Sequence, residues 1–228
     1  MEGMSKKKAP SRRRTQAERR SQTQAAILKA ALDVLIKDGY AGFSASGVAE
    51  CAGVSRGAQE HYYRKKNDLI EAATSYAMEE AIRHAQTQAR TATSSTDPIE
   101  KFLAASEEFF FMPSFMAMTE IIIAARSDRG LAKIVHPIIK KSRKVLDRIW
   151  TETLVEAGYS SDRARQFVEL SHFLLRGVFF VSTWLPYDVD RVAVIRAWRD
   201  LAPSALQLDL FKQANRKNAG VRSRATSG

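Results

Sequence analysis

Between Thr15 and Lys37 apolar residues recur at Ala26, Ile27, Ala30, Ala31, Val34 and Leu35, with polar residues between them. That three-to-four spacing predicts an amphipathic helix, and Gly39 follows where such a helix needs a left-handed cap. Ser44 is placed to cap a short second helix ending near Ala52, Gly53 to make a turn, and Ser55 to cap a third helix running to about Tyr63. Asn67 or Asp68 then opens a long fourth helix through Leu69, Ile70, Ala73, Tyr76 and Ala77, which fades in the polar stretch Thr91 to Thr96. Asp97 and Pro98 supply an N-cap and a first-turn proline for the next helix. Breaks expected at Pro113, Ser127 to Gly130, Pro137, Gly158 to Ser161, Pro186 and Pro203 divide the rest into roughly five or six helices. There is no sustained two-residue alternation and no Asn-Gly or Asp-Gly hairpin turn, so the expected fold class is all-α.

One predicted helix is apolar on two sides. Phe167, Leu170, Leu174, Val178, Val181 and Leu185 form one seam, and Phe173, Phe180 and Trp184 a second. Both faces must be covered. The pattern therefore predicts that one meets its own domain and the other a partner subunit, with the helix of Val189, Val192, Ile195 and Ala202 completing a four-helix dimer contact.

Composition is that of a globular chain: 228 residues, 45% hydrophobic and 27% charged, which excludes disorder throughout. The formal charge of +11 calls for a polyanionic partner to be considered. Its distribution narrows that inference. Residues 1 to 20 hold eight Lys or Arg against two Glu, residues 212 to 228 hold five and no acid, and the stretch between is neutral. The tail sequence KKKAPSRRR precedes the first helix, where a flexible arm can reach an adjacent minor groove or the backbone; the C-terminal tail reads as a solubilising segment.

A single cysteine, Cys51, excludes an internal disulfide and reads as a small buried residue. The four His are scattered, no metal-ligand spacing occurs, and no nucleophile elbow or phosphate loop is present, so neither a metal, a cofactor nor an enzymatic site is expected. The basic N-terminus lacks the apolar run of a signal peptide, and Phe109 to Ala125 is interrupted by Pro113, Ser114 and Glu120. A cytoplasmic protein that does not span a membrane is expected.

Residues 44 to 63 read as a helix-turn-helix, with Val48, Ala49, Ala52 and Val54 placed to pack two short helices against the first. In context the stretch from Ala26 to Leu69 resembles the DNA-binding domain of the TetR family of bacterial transcription regulators. The matching features are the Ala-rich first helix, Gly39-Tyr40, the Ser44 cap, Val48-Ala49, the Ala52-Gly53-Val54-Ser55 turn, Tyr62-Tyr63, and Lys66 with Leu69. It departs at Gln59, often aliphatic in the family, at Glu60, commonly apolar or Tyr, and at Arg64, frequently Pro; these bear on the operator read. The resemblance implies a basic disordered arm (1–20), a DNA-binding domain of three helices (21–81) joined by the fourth helix to a larger helical ligand-binding and dimerisation domain (82–204), and a basic tail (205–228).

For such a domain the third helix enters the major groove, which places Ser55, Arg56, Gln59 and Glu60 near base edges. Arg can pair with guanine, Gln with adenine, and Glu can accept from cytosine. Gly57 lets the helix lie close to the duplex. Ser44, Tyr62, Tyr63 and Lys66, with the amides opening the fourth helix, are suited to phosphates, core packing being an equal alternative for Tyr63.

The cluster Phe109, Phe110, Phe111, Met112, Phe115, Met116 and Met118 reads either as plain core or as the wall of an apolar ligand cavity. The cavity assignment takes Phe111, Met112, Phe115 and Met116, with His172 and Arg176, one helical turn apart, as the polar groups, and Glu120 and Arg126 in reserve. The expected function is a DNA-binding regulator, acting as a repressor dimer on a palindromic operator and released by a small, mainly apolar molecule. The competing reading is a basic adaptor that binds RNA or an anionic membrane through its tails.

Overall fold

A computed structural model describes residues 15–93, 95–185 and 190–207. The bulk of both basic tails and the break at Pro186 lie outside the described residues. Those described form helices and no strand: α1 (Gln16–Gly42), α2 (Ala45–Cys51), α3 (Arg56–Tyr62), α4 (Lys66–Thr93), α5 (Pro98–Phe111), α6 (Pro113–Ala125), α7 (Arg129–Glu156), α8 (Ser161–Trp184) and α9 (Arg191–Gln207).

The starts of these helices follow from local chemistry. Thr15 accepts from the Glu18 amide while the Glu18 carboxylate accepts from the Thr15 amide, so α1 opens on a capping box. Residues 16–20, expected in the disordered arm, are thereby helical. Ser44, Ser55, Asp97 and Asp128 each accept from the amide three residues on. Gly39 ends the regular part of α1 at φ +65°, and a Cβ there would lie 3.2 Å from Glu120 Oε2 on α6. A side chain would be strained twice over.

Two expected breaks are absent. Pro137 sits within α7 and Pro203 within α9. A proline inside a helix removes one N–H and leaves a carbonyl four residues back unpaired. Pro137 and Lys133 are both exposed, so water can take up that carbonyl, while Leu131 and Val135 on the inner side hold the helix in the core. Pro203 is likewise exposed, between buried Ala202 and Leu206. Packing outweighs a solvent-side defect in both. Where a proline does end a helix, Pro113 opens α6 after an extended Met112, and α5 and α6 meet at a bend of 60°. No single helix among the described residues is long and apolar enough to cross a membrane, although α5 and α6 pass such a test as a bent pair.

The helices bury three apolar clusters. In the first, Ile27, Leu35, Leu69 and Ile70 pack with Ala117, Met118 and Ile121 of α6 and Leu131 and Val135 of α7. Fully burying a side chain such as Leu35 or Ile70 contributes roughly 1.5–3 kcal/mol. The N-terminal helices thus share a core with α6 and α7. The second cluster gathers Phe102, Trp150, Leu154, Phe167 and Trp198, and the third Phe110, Phe115, Leu175, Phe179 and Ile195. Helix α4 runs from the first into the second.

Candidate nucleic-acid interface and internal cavity

Helices α2 and α3 are too short to stand alone and are held by caps and by one buried face. Ser44 Oγ accepts from Gly47 N and Ser55 Oγ from Ala58 N, each at 3.1 Å, and Gly53 makes the turn between them at φ +65°. Val48 and Ala49 are buried. Cys51, expected inside, is exposed, because the inward stripe of α2 runs through Val48, Ala49 and Ala52 and misses it.

The outer face of α3 carries Arg56, Gly57, Glu60 and His61, all exposed. Arg56 Nε donates to Glu60 Oε1 at 2.7 Å, so the carboxylate on this face has a donor. A Cβ at Gly57 would meet nothing within 4 Å, which leaves a smooth, open patch beside the pair.

Gln59 is not on this face, contrary to its assignment beside the base edges. Its side chain is fully buried, and Nε2 donates to the Tyr63 carbonyl at 2.9 Å. It lies one helical turn after Ser55 and points at the core, where it satisfies the end of its own helix. Tyr63 is buried as well; its hydroxyl accepts from Gln24 Nε2 at 3.0 Å, and burial raises its pKa above the ordinary value. The packing alternative therefore describes Tyr63. Tyr62 is half-buried and its hydroxyl donates to the Arg20 carbonyl at 3.4 Å.

Lys66 departs from a free phosphate-binding cation. Its Nζ donates to the Tyr40 carbonyl at 3.2 Å and stands 4.3 Å from the Tyr40 ring centroid, which ties the start of α4 to the end of α1. At the same helix start Lys65 N donates to Asp68 Oδ2 at 3.2 Å, so one of the amides expected to meet phosphate is already engaged. Arg64 and Lys65 are the exposed cations next to α3. The sequence marked Arg64 only as a departure from the family pattern and assigned Lys65 no role, although both continue directly from the Tyr pair.

Beyond this interface, α4, α5, α6, α7 and α8 line a partly open cavity of about 280 Å³. Ala81 and Ala85 on α4 are small enough to leave the space, and Phe109, Phe110, Phe115 and Met118 supply much of the apolar wall. Of the residues expected here, Phe115, His172 and Arg176 line the cavity. Phe111, Met112 and Met116 do not. The bend at Met112 turns them toward α8 and α9, where Phe111 meets Phe179 at 5.8 Å and all three pack on the third cluster. Glu120 lies against Gly39, and Arg126 caps the end of α6.

The polar end of the cavity includes two residues of α7 that sequence reasoning missed, Arg143 and Asp147, and Ser106 of α5. His172 Nδ1 donates to Asp147 Oδ1 at 3.0 Å, and Ser106 Oγ lies 3.5 Å from Nε2. Burial holds the His172 pKa below its ordinary range; Asp147 opposes this, and Arg176 and Arg143 add to it. Arg143 Nε is 3.5 Å from Asp147 Oδ2 and its Nη2 is 3.8 Å from Glu169. Arg176, lowered in pKa chiefly by burial and then by Arg143, has no acid within ion-pair distance among the described residues. On the cavity wall His84 Nε2 lies 3.3 Å from Glu108.

Residues 27–73 match the family model described as bacterial regulatory proteins, tetR family. The chain is 34% identical over 185 residues to the HTH-type transcriptional regulator CymR of Pseudomonas putida, spanning 81% of this chain and 91% of that one. An uncharacterized HTH-type transcriptional regulator of Mycobacterium tuberculosis is 26% identical over 135 residues, 59% of this chain and 69% of its own. Among solved structures, a TetR-family regulator from Mesorhizobium loti superposes with a TM-score of 0.67 at 13% identity, covering 83% of this chain and 97% of its own. A transcriptional regulator from Pseudomonas aeruginosa gives 0.62 at 22% identity, covering 85% and 99%. These two likenesses concern the fold.

Proposed function

This chain belongs to the TetR family of bacterial regulatory proteins, DNA-binding regulators of transcription, and from that premise we propose that it is a repressor released by a small, mainly apolar molecule. It binds a palindromic operator as a two-fold dimer. Residues 21–81 form the reading head and residues 82–204 the ligand-binding and dimerisation part. Arg56, Gly57 and Glu60 approach base edges, while Tyr62, Arg64 and Lys65 approach phosphates. Two heads must then sit about 34–36 Å apart, or a multiple of that, to meet successive major grooves on one face of the duplex.

The observation that carries this reading is the path of α4. It begins beside α3, pinned to Tyr40 through Lys66, and further along lines the cavity with Met78, Ala81 and Ala85. Helix α6 makes a second link: Met118 and Ile122 line the cavity, and Ala117 and Ile121 are buried with α1. A ligand that shifts either helix alters the separation of the heads. Release needs a coupling of only about 1–3 kcal/mol between the two sites. Selection of bound sequences from a random DNA pool by the full-length protein tests the reading: a two-fold symmetric consensus is expected. Binding without sequence preference, lost when both basic tails are removed, would instead support a charge-driven adaptor.

A further inference from the structure

The cavity wall is mostly apolar, and one of the charged groups on it lacks an ion-pair partner among the described residues. Asp147 is the carboxylate on that wall, and both its oxygens are engaged, Oδ1 by His172 and Oδ2 by Arg143. His172 has both ring nitrogens occupied, one by Asp147 and the other by Ser106. It therefore fixes Asp147 rather than meeting a ligand. Arg176 remains: a guanidinium on the cavity wall with Phe110 and Phe173 rings at 5.4 and 5.7 Å and no acid within ion-pair distance among the described residues. Its charge cannot be shed, because arginine does not deprotonate in proteins.

From this geometry we infer that the cavity takes a compact organic monoanion, a carboxylic acid with a hydrocarbon body, and that Arg176 receives its carboxylate. The inference rests on the ligand-responsive reading above and adds the sign and place of the ligand's charge. A carboxylate matches the guanidinium fork with two parallel hydrogen bonds. A neutral ligand would bury the guanidinium further without a partner, and an ammonium would be repelled by Arg176 and Arg143 together. The volume of about 280 Å³ lies at the small end of the range of roughly 300–1,000 Å³ usual for drug-sized ligands, which suits a compact acid such as one built on a single ring. The body has an aromatic host: Phe109, Phe110 and Phe115 already meet edge to face at 4.9–5.4 Å, and a bound ring extends that packing.

The test is calorimetric titration of the full-length protein, without DNA, with three probes sharing one body: 4-methylbenzoate, 4-methylbenzamide and 4-methylbenzylamine. The acid is expected to bind about tenfold or more tightly than the amide, and the amine not at all. Arg176→Met should remove the advantage of the acid, and Arg176→Lys should restore part of it, with melting curves reporting that both variants fold. Equal affinities for acid and amide, an acid affinity untouched by Arg176→Met, or no heat from the acid at millimolar concentration would each overturn the assignment. Because DNA is absent, this result is separate from the regulatory reading, which fails instead if a bound acid leaves operator affinity unchanged.

Discussion

Arg56 and Glu60 face the same way on the outside of α3, joined Nε to Oε1 at 2.7 Å one helical turn apart. Arg56 is 77% exposed and Glu60 47%, so the pair does little for stability; exposed pairs of this spacing contribute about 0.3–0.5 kcal/mol. For the proposed base readout its consequence is that Glu60 engages Arg56 Nε and leaves the other donors of the guanidinium for a base edge. Arg56→Ala should cost roughly 1–3 kcal/mol per half-site and relax preference at particular base pairs. Glu60→Gln should leave unfolding within about 0.5 kcal/mol of the parent while broadening the selected consensus. Fluorescence anisotropy against operator and scrambled duplexes checks both; equal losses on the two duplexes for Arg56→Ala would remove α3 from base readout.

Gln59 calls for the opposite expectation. Buried and bonded to the Tyr63 carbonyl, it supports the helix and does not face the groove. Gln59→Ala should lower unfolding free energy by about 1–3 kcal/mol, the cost of leaving a buried polar partner unsatisfied, with the base preferences of the folded fraction unchanged. Chemical denaturation alongside sequence selection separates the two effects. A changed consensus at normal stability would return Gln59 to the interface.

These two residues show what a linear reading can reach. Caps such as Ser44, Ser55, Asp97 and Asp128 act on an amide three residues away, so the sequence displays both partners and the helix starts were legible. The fate of Gln59 depends on how α3 sits on α1, and that of Pro137 on the burial of Leu131 and Val135; neither is a local property. The cavity was harder still. Its charged groups are Arg143 and Asp147 on α7 and His172 and Arg176 on α8, which meet only because these two consecutive helices pack side by side in one particular register. One local hint existed in the small residues Ala77, Ala81, Ala85 and Ala89, which repeat every four positions along α4. A face of alanines at that spacing leaves either a close helix crossing or a space.

The cavity wall separates two variants that look alike in sequence. Met116 packs on the third cluster outside the cavity, and Met116→Ala should reduce thermal stability without altering ligand affinity. Ile122 lines the cavity and is 37% exposed, so a larger side chain there can enter the space at small cost to folding. Ile122→Trp should weaken binding of 4-methylbenzoate about tenfold with little change in melting temperature. Titration of both variants decides it, and a ligand affinity that follows Met116 rather than Ile122 would move the site to α9.

His172 gives the protein an acid-sensitive element. Burial keeps its pKa below the ordinary value in the folded state, against the pull of Asp147 and aided by Arg176 and Arg143. In the unfolded chain the imidazole titrates near its ordinary value of about 6.5. Above that pH neither state holds the proton, and His172 contributes no pH dependence. As pH falls through it, the unfolded chain takes up a proton that the folded chain refuses, and stability declines by at most about 1.4 kcal/mol per pH unit until the folded pKa is reached. Urea unfolding at a series of pH values should show this decline in the parent and a shallower one in His172→Gln. Identical slopes would mean that the Asp147 contact overrides burial and His172 is protonated in place.

The proposal of a dimer rests on what α8 and α9 leave uncovered. Phe173, Val181 and Leu185 on α8 are 51%, 41% and 50% exposed, and Val192 and Leu201 on α9 are 57% and 58%. Single exposed apolar residues need no explanation, but several on two adjoining helices do. A two-fold contact would bury each of them twice, and a stable interface of this kind covers roughly 1,200–2,000 Å² in all. Val181 and Leu201 lie outside the cavity wall, so charges placed there strike the interface without disturbing Arg176. Val181→Glu with Leu201→Glu should shift sedimentation from dimer to monomer at micromolar concentration while circular dichroism reports the same helix content. Operator affinity should fall steeply, because each head then binds its half-site alone and loses the effective concentration supplied by its twin. A double variant that sediments as the parent does and holds its operator equally well would place the subunit contact elsewhere and leave this apolar face without a partner.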